Sequence, residues 1–364
     1  MKKQLIALSL LSTALTAEGG QAACVKPPKA AWFDRSECLL GGFAVVKKRN
    51  SYGVADAQGK VVLPAQYNRI GGVYRIPNTD AVFHQGLTMV GKGGRYGVAN
   101  SKGRMLTPLA YKNPFVLQKA FEHGVELAEK GRADYVLLNR DGREILNLPY
   151  ENVQLDAEGG VLAVRNQGRF GLVDFAGKTL VPVGTYDEIA DFRDGLARVG
   201  VNRLYGFINR KGQEVVAPLY DAANDFAGGI TAVRQGNVWR LLDSKGRVVA
   251  DDLLFHEIGP FEHGLAVVSA ESGQEGVIDG SGRVVLPPQY DGVQTAFTSP
   301  DFLFVSEQGK YALFDRKGSQ LTAFTFERVV GDNAAARTAS LQQDDMVYTF
   351  DVLGRLLHQE KVRR

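Results

Sequence analysis

The chain has 364 residues, 45% hydrophobic and 23% charged, with 43 basic against 40 acidic side chains and a formal net charge of +3. That hydrophobicity excludes a disordered chain of low apolar content and high charge. The signs are mixed along the whole length, which excludes the basic stripe that nucleic-acid binding requires.

Taken from the N-terminus, the first residues form an export address. Lys2 and Lys3 make a basic start, Leu5 to Ala17 is apolar, and Gly20-Gln21-Ala22 places small residues at the two positions a signal peptidase reads. The apolar stretch is shorter than the about 20 residues of a membrane span. Residues 1–22 are therefore expected to be a signal peptide cleaved after Ala22, and the mature chain to be periplasmic or secreted. No other segment is apolar enough to cross a membrane.

The only cysteines, Cys24 and Cys38, follow the cleavage point. Two neighbouring cysteines in an exported chain predict one disulfide, closing an N-terminal cap over 23–39. The alternative is a lipid anchor through Cys24, against which stands Gln21 at the position where a lipobox carries Leu.

From residue 40 to 364 the chain repeats. Gly59, Gly103, Gly142, Gly177, Gly212, Gly246, Gly282, Gly318 and Gly354 recur at spacings of 44, 39, 35, 35, 34, 36, 36 and 36. Three residues before each stands Asp56, Asn100, Asn139, Asp174, Asn209, Asp243, Asp279, Asp315 or Asp351. Asp or Asn at the first position of a type I turn accepts hydrogen bonds from backbone N–H groups ahead of it, and glycine at the fourth tolerates a left-handed backbone. Each Asp/Asn-x-x-Gly is thus a corner between two strands. One carboxylate per unit does not make a calcium site, which needs six to eight converging oxygens, so neither metal nor cofactor is predicted.

Seven residues before the glycines stand Tyr52, Tyr96, Tyr135, Phe170, Tyr205, Trp239, Glu275, Tyr311 and Val347, mostly types that suit a half-buried strand. Glycine follows directly at Gly53, Gly97, Gly171, Gly206 and Gly276. An apolar run comes after the corner, and Pro64, Pro108, Pro182, Pro218 or Pro287 is expected to terminate its ladder for want of an N–H donor. An aromatic then returns at Tyr67, Tyr111, Tyr150, Tyr186, Tyr220, Phe255, Tyr290 and Phe326, often followed by an acid, as in Tyr220-Asp221. A second turn, Phe-x-x-Gly, closes the unit, as at Phe192/Gly195 and Phe261/Gly264. Each unit reads as about three short strands and two turns, without a helical period.

Tyr205-Gly206-Phe207-Ile208-Asn209, Gly212, Pro218, Tyr220-Asp221 and Phe226-Ala227-Gly228-Gly229 together resemble the WG-repeat family of bacterial proteins, over about residues 40–360. The Trp-Gly pair itself never occurs; Tyr or Phe takes the place of Trp. The resemblance implies a binding or structural role and brings no catalytic residues. The predicted fold is an all-β tandem array of about nine hairpin-based repeats with a degenerate last unit. An open, solenoid-like superhelix is preferred over a β-propeller-like ring, because nine units exceed the usual 4 to 8 blades.

Catalytic motifs fail on inspection. Gly177-Lys178-Thr179 lacks the earlier glycine of a P-loop, Leu172 standing in its place, and Gly280-Ser281-Gly282 lacks the outer glycine of a nucleophile elbow. His123 and His263 fill the same Phe-Glu-His-Gly slot and read as turn residues. The repeated aromatics are expected to be core. Binding residues are sought where the repeat is interrupted: the longest interval carries Tyr74 and Arg75, the candidate contacts. The expected function is an exported envelope scaffold, not an enzyme, that binds a protein or glycan; the alternative is a hydrolase or lyase acting on envelope polymers.

Overall fold

The computed structural model describes residues 24–71, 82–83, 86–112, 123–295 and 299–362. The signal-peptide segment and the candidates Tyr74 and Arg75 lie outside them. The chain divides into two compact units, one within Met1–Glu122, Ala128–Lys130 and Asn139–Arg143, the other within His123–Leu127, Gly131–Leu138 and Glu144–Arg364.

The described residues form no helix. They make nine antiparallel sheets in chain order, six of four strands and three of three, and no sheet closes on itself. This is the predicted all-β tandem array. The fifth sheet represents the unit: Glu188–Ile189, Leu196–Val201, Leu204–Asn209 and Glu214–Tyr220 lie side by side in sequence order. The very short first strand is the one the sequence reading missed, since two residues carry no alternation to detect.

The second and third strands are joined by a two-residue turn in which Asn202 and Arg203 have φ of 52° and 66°. This left-handed pair matches the twist of the strands it joins. The third and fourth strands meet at the Asn209 corner. There Asn209 Oδ1 accepts the backbone N–H groups of Lys211 and Gln213 at 2.9 and 3.1 Å, and the Gly212 N–H donates to the Asn209 carbonyl at 2.9 Å. The same bonds recur at the eight other corners, from Asp56, whose Oδ1 accepts from Gln58 and Lys60, to Asp351, which accepts from Leu353 and Arg355.

The corner glycine does a second thing. A Cβ on Gly246 would lie 2.9 Å from the carbonyl oxygen of Val215, on the fourth strand of the preceding sheet. Gly103 meets Val62, Gly142 Leu106, Gly212 Leu180, Gly318 Val285 and Gly354 Leu321 in the same way. At these six corners the glycine therefore stands against the backbone of the preceding stretch of chain, with no room for a side chain. Gly59, in the first sheet, meets the Pro28 carbonyl instead. Residues 24–34 thus substitute for a preceding unit, held by the Cys24–Cys38 disulfide and by the Trp32 indole N–H donating to the Gly59 carbonyl at 3.0 Å.

Within the second unit, apolar clusters fill the space between consecutive sheets. Val161, Leu172 and Val181 of the fourth pack on Ile189, Val199 and Ile208 of the fifth. Leu196, Phe207 and Val216 on the other face of the fifth pack on Phe226, Val233 and Leu242 of the sixth. The middle strands are thus buried on both faces, which is why their sequences run almost continuously apolar. Each fully buried Leu, Ile, Val or Phe contributes about 1.5–3 kcal/mol.

Four of the five prolines do not end the ladder as expected, while Pro108 lies outside any strand. The fourth strands Val61–Tyr67, Thr179–Tyr186, Glu214–Tyr220 and Val284–Tyr290 run through Pro64, Pro182, Pro218 and Pro287 to the returning aromatic. Their register shifts there, as between Tyr205↔Tyr220 and Phe207↔Val216. At such a bulge no N–H is needed. The bulge crosses the glycine of the aromatic-glycine pair: a Cβ on Gly206 would meet the Val216 carbonyl and lie 2.6 Å from the Pro218 nitrogen. At Gly206 this crossing leaves no room for a side chain.

Candidate interaction surface

In five of the nine sheets, at the end near the two-residue turn, the third-strand aromatic stands opposite the returning aromatic. The pairs are Tyr52↔Tyr67, Tyr96↔Tyr111, Phe170↔Tyr186, Tyr205↔Tyr220 and Tyr311↔Phe326. Two of the returning aromatics named from sequence are not in register: Leu148 faces Tyr135 in place of Tyr150, and Leu253 faces Trp239 in place of Phe255. Tyr67, Tyr111, Tyr186 and Phe326 are buried, as expected of core. Tyr186 also donates its hydroxyl to Glu214 of the next sheet at 2.8 Å, and burial, then the Glu214 carboxylate, raise its pKa above the ordinary phenol value. The third-strand aromatics Tyr52, Tyr96, Phe170, Tyr205 and Tyr311 are only half-buried.

The acid after the returning aromatic also has a structural task. Asp187, Asp221 and Asp291 use Oδ2 to accept the N–H of Asn202, Gly236 and Gln308, each the first residue of the next sheet's tight turn. Asp34 does the same for Arg49 from within the N-terminal cap, next to buried Phe33. The cap therefore carries the aromatic-acid pair that a preceding repeat would supply.

Three consecutive sheets, the fourth to sixth, add a cation on the second strand. The Arg165 guanidinium lies 5.6 Å from the Phe170 ring centroid, Arg198 5.2 Å from Tyr205, and Arg234 5.6 Å from Trp239. In the first sheet Lys47 holds the same place over Tyr52, at 5.4 Å. Register explains the geometry: Arg165, Arg234 and Lys47 stand directly opposite their rings, while Arg198 is two residues from the position opposite Tyr205, on the same face. A guanidinium over a ring face is attracted by the ring quadrupole, by about 0.5–1 kcal/mol where exposed and about 2 or more when desolvated.

The three arginines differ in their acids. Arg198 is neutralised by Glu188 and Asp225, each at 3.0 Å. Among the described residues, Arg165 and Arg234 pair with no carboxylate, and Arg165 Nε, Arg234 Nε and the indole Nε1 of Trp239 are buried without an acceptor. Buried donors are normally satisfied, and an exception calls for an acceptor from water or a partner.

The histidine reading is accounted for locally. His263, with φ 51°, is a turn residue whose carbonyl accepts from Arg316. Among the described residues no group of three or more His, Cys, Asp or Glu converges as a metal site would require. The arginine-aromatic pairs were missed by the sequence reading, although they have a signal: a basic residue five before the aromatic, as at Arg165/Phe170 and Arg234/Trp239, spans a two-residue turn and lands opposite the ring.

Residues 52–74, 170–205, 205–239 and 276–311 match the sequence model of the WG containing repeat family. Those stretches bear out the resemblance, and two of them contain the three arginine-aromatic pairs apart from Arg165. No curated protein sequence matches the chain. Among solved structures, a eukaryotic initiation factor is similar at 10% identity and a TM-score of 0.39, over 93% of this chain and 90% of that one. BamB from Moraxella catarrhalis is similar at 11% identity and a TM-score of 0.30, over 78% and 91% of the two chains. AztD from Citrobacter koseri is similar at 16% identity and a TM-score of 0.31, over 66% and 82%.

Proposed function

We propose that this chain, which matches the WG containing repeat at four stretches, is an exported envelope scaffold that binds an acidic segment of a partner protein and performs no chemistry of its own. The observation that carries the reading is the row of arginines on aromatic rings in three successive sheets. Arginine and large aromatics are the side chains most enriched at binding hot spots. Among the described residues Arg165 and Arg234 have no carboxylate beside them, and an acidic partner would supply one. The export half of the reading rests on the N-terminal address and on the disulfide, a bond of oxidising compartments. The disulfide engages the Cys24 sulfur, which supports an unanchored mature chain over a lipid anchor at that residue.

Crosslinking in native envelopes tests the proposal, with the captured molecules identified for the natural chain and for Arg165→Met/Arg234→Met. An acidic protein recovered with the natural chain and lost with the double variant is the expected result. Equal capture by both, or recovery of cleaved glycans alone, would sink it.

A further inference from the structure

The fourth to seventh sheets carry charge at one shared place in the register, where the second strand faces the first near the tight turn. In the fourth sheet the place holds Arg165, with Asn152 across from it, and in the sixth Arg234, with Ala222 across from it. Neither neighbour is an acid. In the fifth sheet the pair is Gly200 and Glu188, and Arg198 reaches that Glu188 from the same strand as Gly200, at 3.0 Å. Asp225 also holds Arg198, so two carboxylates there outnumber one guanidinium. In the seventh sheet Glu257 faces Ser269, exposed and without an ion pair among the described residues. Along the stack the place therefore runs positive, negative, positive, negative.

The spacing follows from the packing. Apolar clusters join the fourth sheet to the fifth, the fifth to the sixth and the sixth to the seventh. Sheets packed face to face lie about 10 Å apart. Arg165 and Arg234 are thus separated by about 20 Å, and Glu257 follows about 10 Å farther on. A β-strand turns successive residues to opposite sides, so residues three apart do not share a side. A polyproline II helix returns to the same side every three residues and advances about 9 Å in doing so, close to the spacing of the sheets. The half-buried rings of Phe170 and Tyr205 line the row, and aromatic-lined surfaces are a recurrent seat for such segments.

Resting on the acidic-partner reading of the arginine row, we infer that the partner segment crosses the stack as a polyproline II helix of defined charge order. Two carboxylates about six residues apart meet Arg165 and Arg234, no acid stands midway between them, and a lysine or arginine about three residues past the second meets Glu257.

The probe is a blocked proline-rich peptide, labelled for fluorescence anisotropy, made in both chain directions and titrated with the full chain. It carries two glutamates six residues apart and a lysine three residues beyond, two periods and one period of the helix. Saturable binding in one direction is expected. Moving the second glutamate by one residue is expected to weaken binding about tenfold, the loss of one charge-assisted hydrogen bond. A third glutamate midway is expected to weaken binding, because Arg198 is already matched. Replacing the lysine by glutamate is expected to weaken binding to the natural chain and to restore it with Glu257→Lys, a substitution at an exposed position whose fold is checked by circular dichroism. Equal binding of the six-spaced and shifted peptides, both lost in Arg165→Met/Arg234→Met, would overturn the inference and leave the acidic-partner reading standing. No binding by any of these peptides also overturns it, and crosslinking then decides separately whether an acidic partner exists.

Discussion

The carboxylate of Asp187 accepts the backbone N–H of Asn202 at 2.8 Å, across the fifteen residues that form the first hairpin of the fifth sheet. The bond fixes a left-handed residue, φ 52°, at the tip of the turn. Hydrogen bonds to charged groups contribute about 1.5–3 kcal/mol when buried and less at an exposed tip. Asp187→Ala is expected to destabilise by about 1 kcal/mol, and Asp221→Ala, which frees Gly236, by a similar amount. The check is the midpoint of urea unfolding. No change in either variant would show the acid after the aromatic to be dispensable.

Gly212 and Gly195 share a left-handed backbone, φ 75° and 80°, but differ in space: a Cβ on Gly212 would meet Val181 and Leu180 of the preceding sheet, while one on Gly195 meets nothing within 4 Å. Both substitutions to alanine carry the backbone cost of about 1–2 kcal/mol. Gly212→Ala is expected to cost a further 1–2 kcal/mol or so, because the neighbouring sheet must shift. Thermal unfolding of the two variants side by side isolates the stacking contact. Equal losses would mean the corner glycine serves the turn alone.

Acid is expected to loosen the corners. The Arg247 side chain, hydrogen-bonded to Asp243, is the largest influence holding that carboxyl at about 2, below its ordinary 3.8, and Asp351 is likewise held down, first by the backbone N–H of Arg355. A depressed native pKa means the unfolded state binds more protons. The stabilisation is complete above 3.8 and is lost as pH falls toward about 2. Asp243→Asn keeps the turn acceptor, as Asn209 does, and should flatten stability against pH in that window. Denaturation midpoints measured from pH 5 to about 2 decide it.

Breaking the cap should be felt at one end first. The Cys24–Cys38 bond closes a loop with a sequence separation of 14, for which loop-closure entropy gives about 3 kcal/mol. On reduction, or in Cys24→Ser/Cys38→Ser, Trp32 is expected to redden in fluorescence as it leaves the Gly59 carbonyl. Trp239, the other tryptophan and 3% exposed, should not change. Measuring with Trp239→Phe assigns the signal. A simultaneous shift at both sites would show that the cap governs the whole fold.

What was legible in the sequence was local. Asp/Asn-x-x-Gly is a turn by its own chemistry, so all nine corners could be read from residue types alone. The returning aromatics were legible only where the register held: Tyr150 and Phe255 have the right spacing but miss their partners, because pairing depends on how many residues the bulge consumes. The prolines were misread because a ladder was assumed where the chain bulges. The role of Asp187 or Asp221 joins one sheet's end to the next sheet's turn and appears only after folding. Arg165 and Arg234 left a spacing signal that becomes meaningful once the two-residue turn is known.

From Gly103 to Gly354 each corner glycine meets atoms of the chain before it, and Gly59 meets Pro28. The stack therefore has a polarity. A newly emerging hairpin finds its footing already laid, and the first finds it in the stapled residues 24–34. For a chain threaded through a narrow channel from its amino end, assembly can keep pace with delivery, and no finished sheet waits on a distant carboxyl-terminal segment for the surface its corner needs.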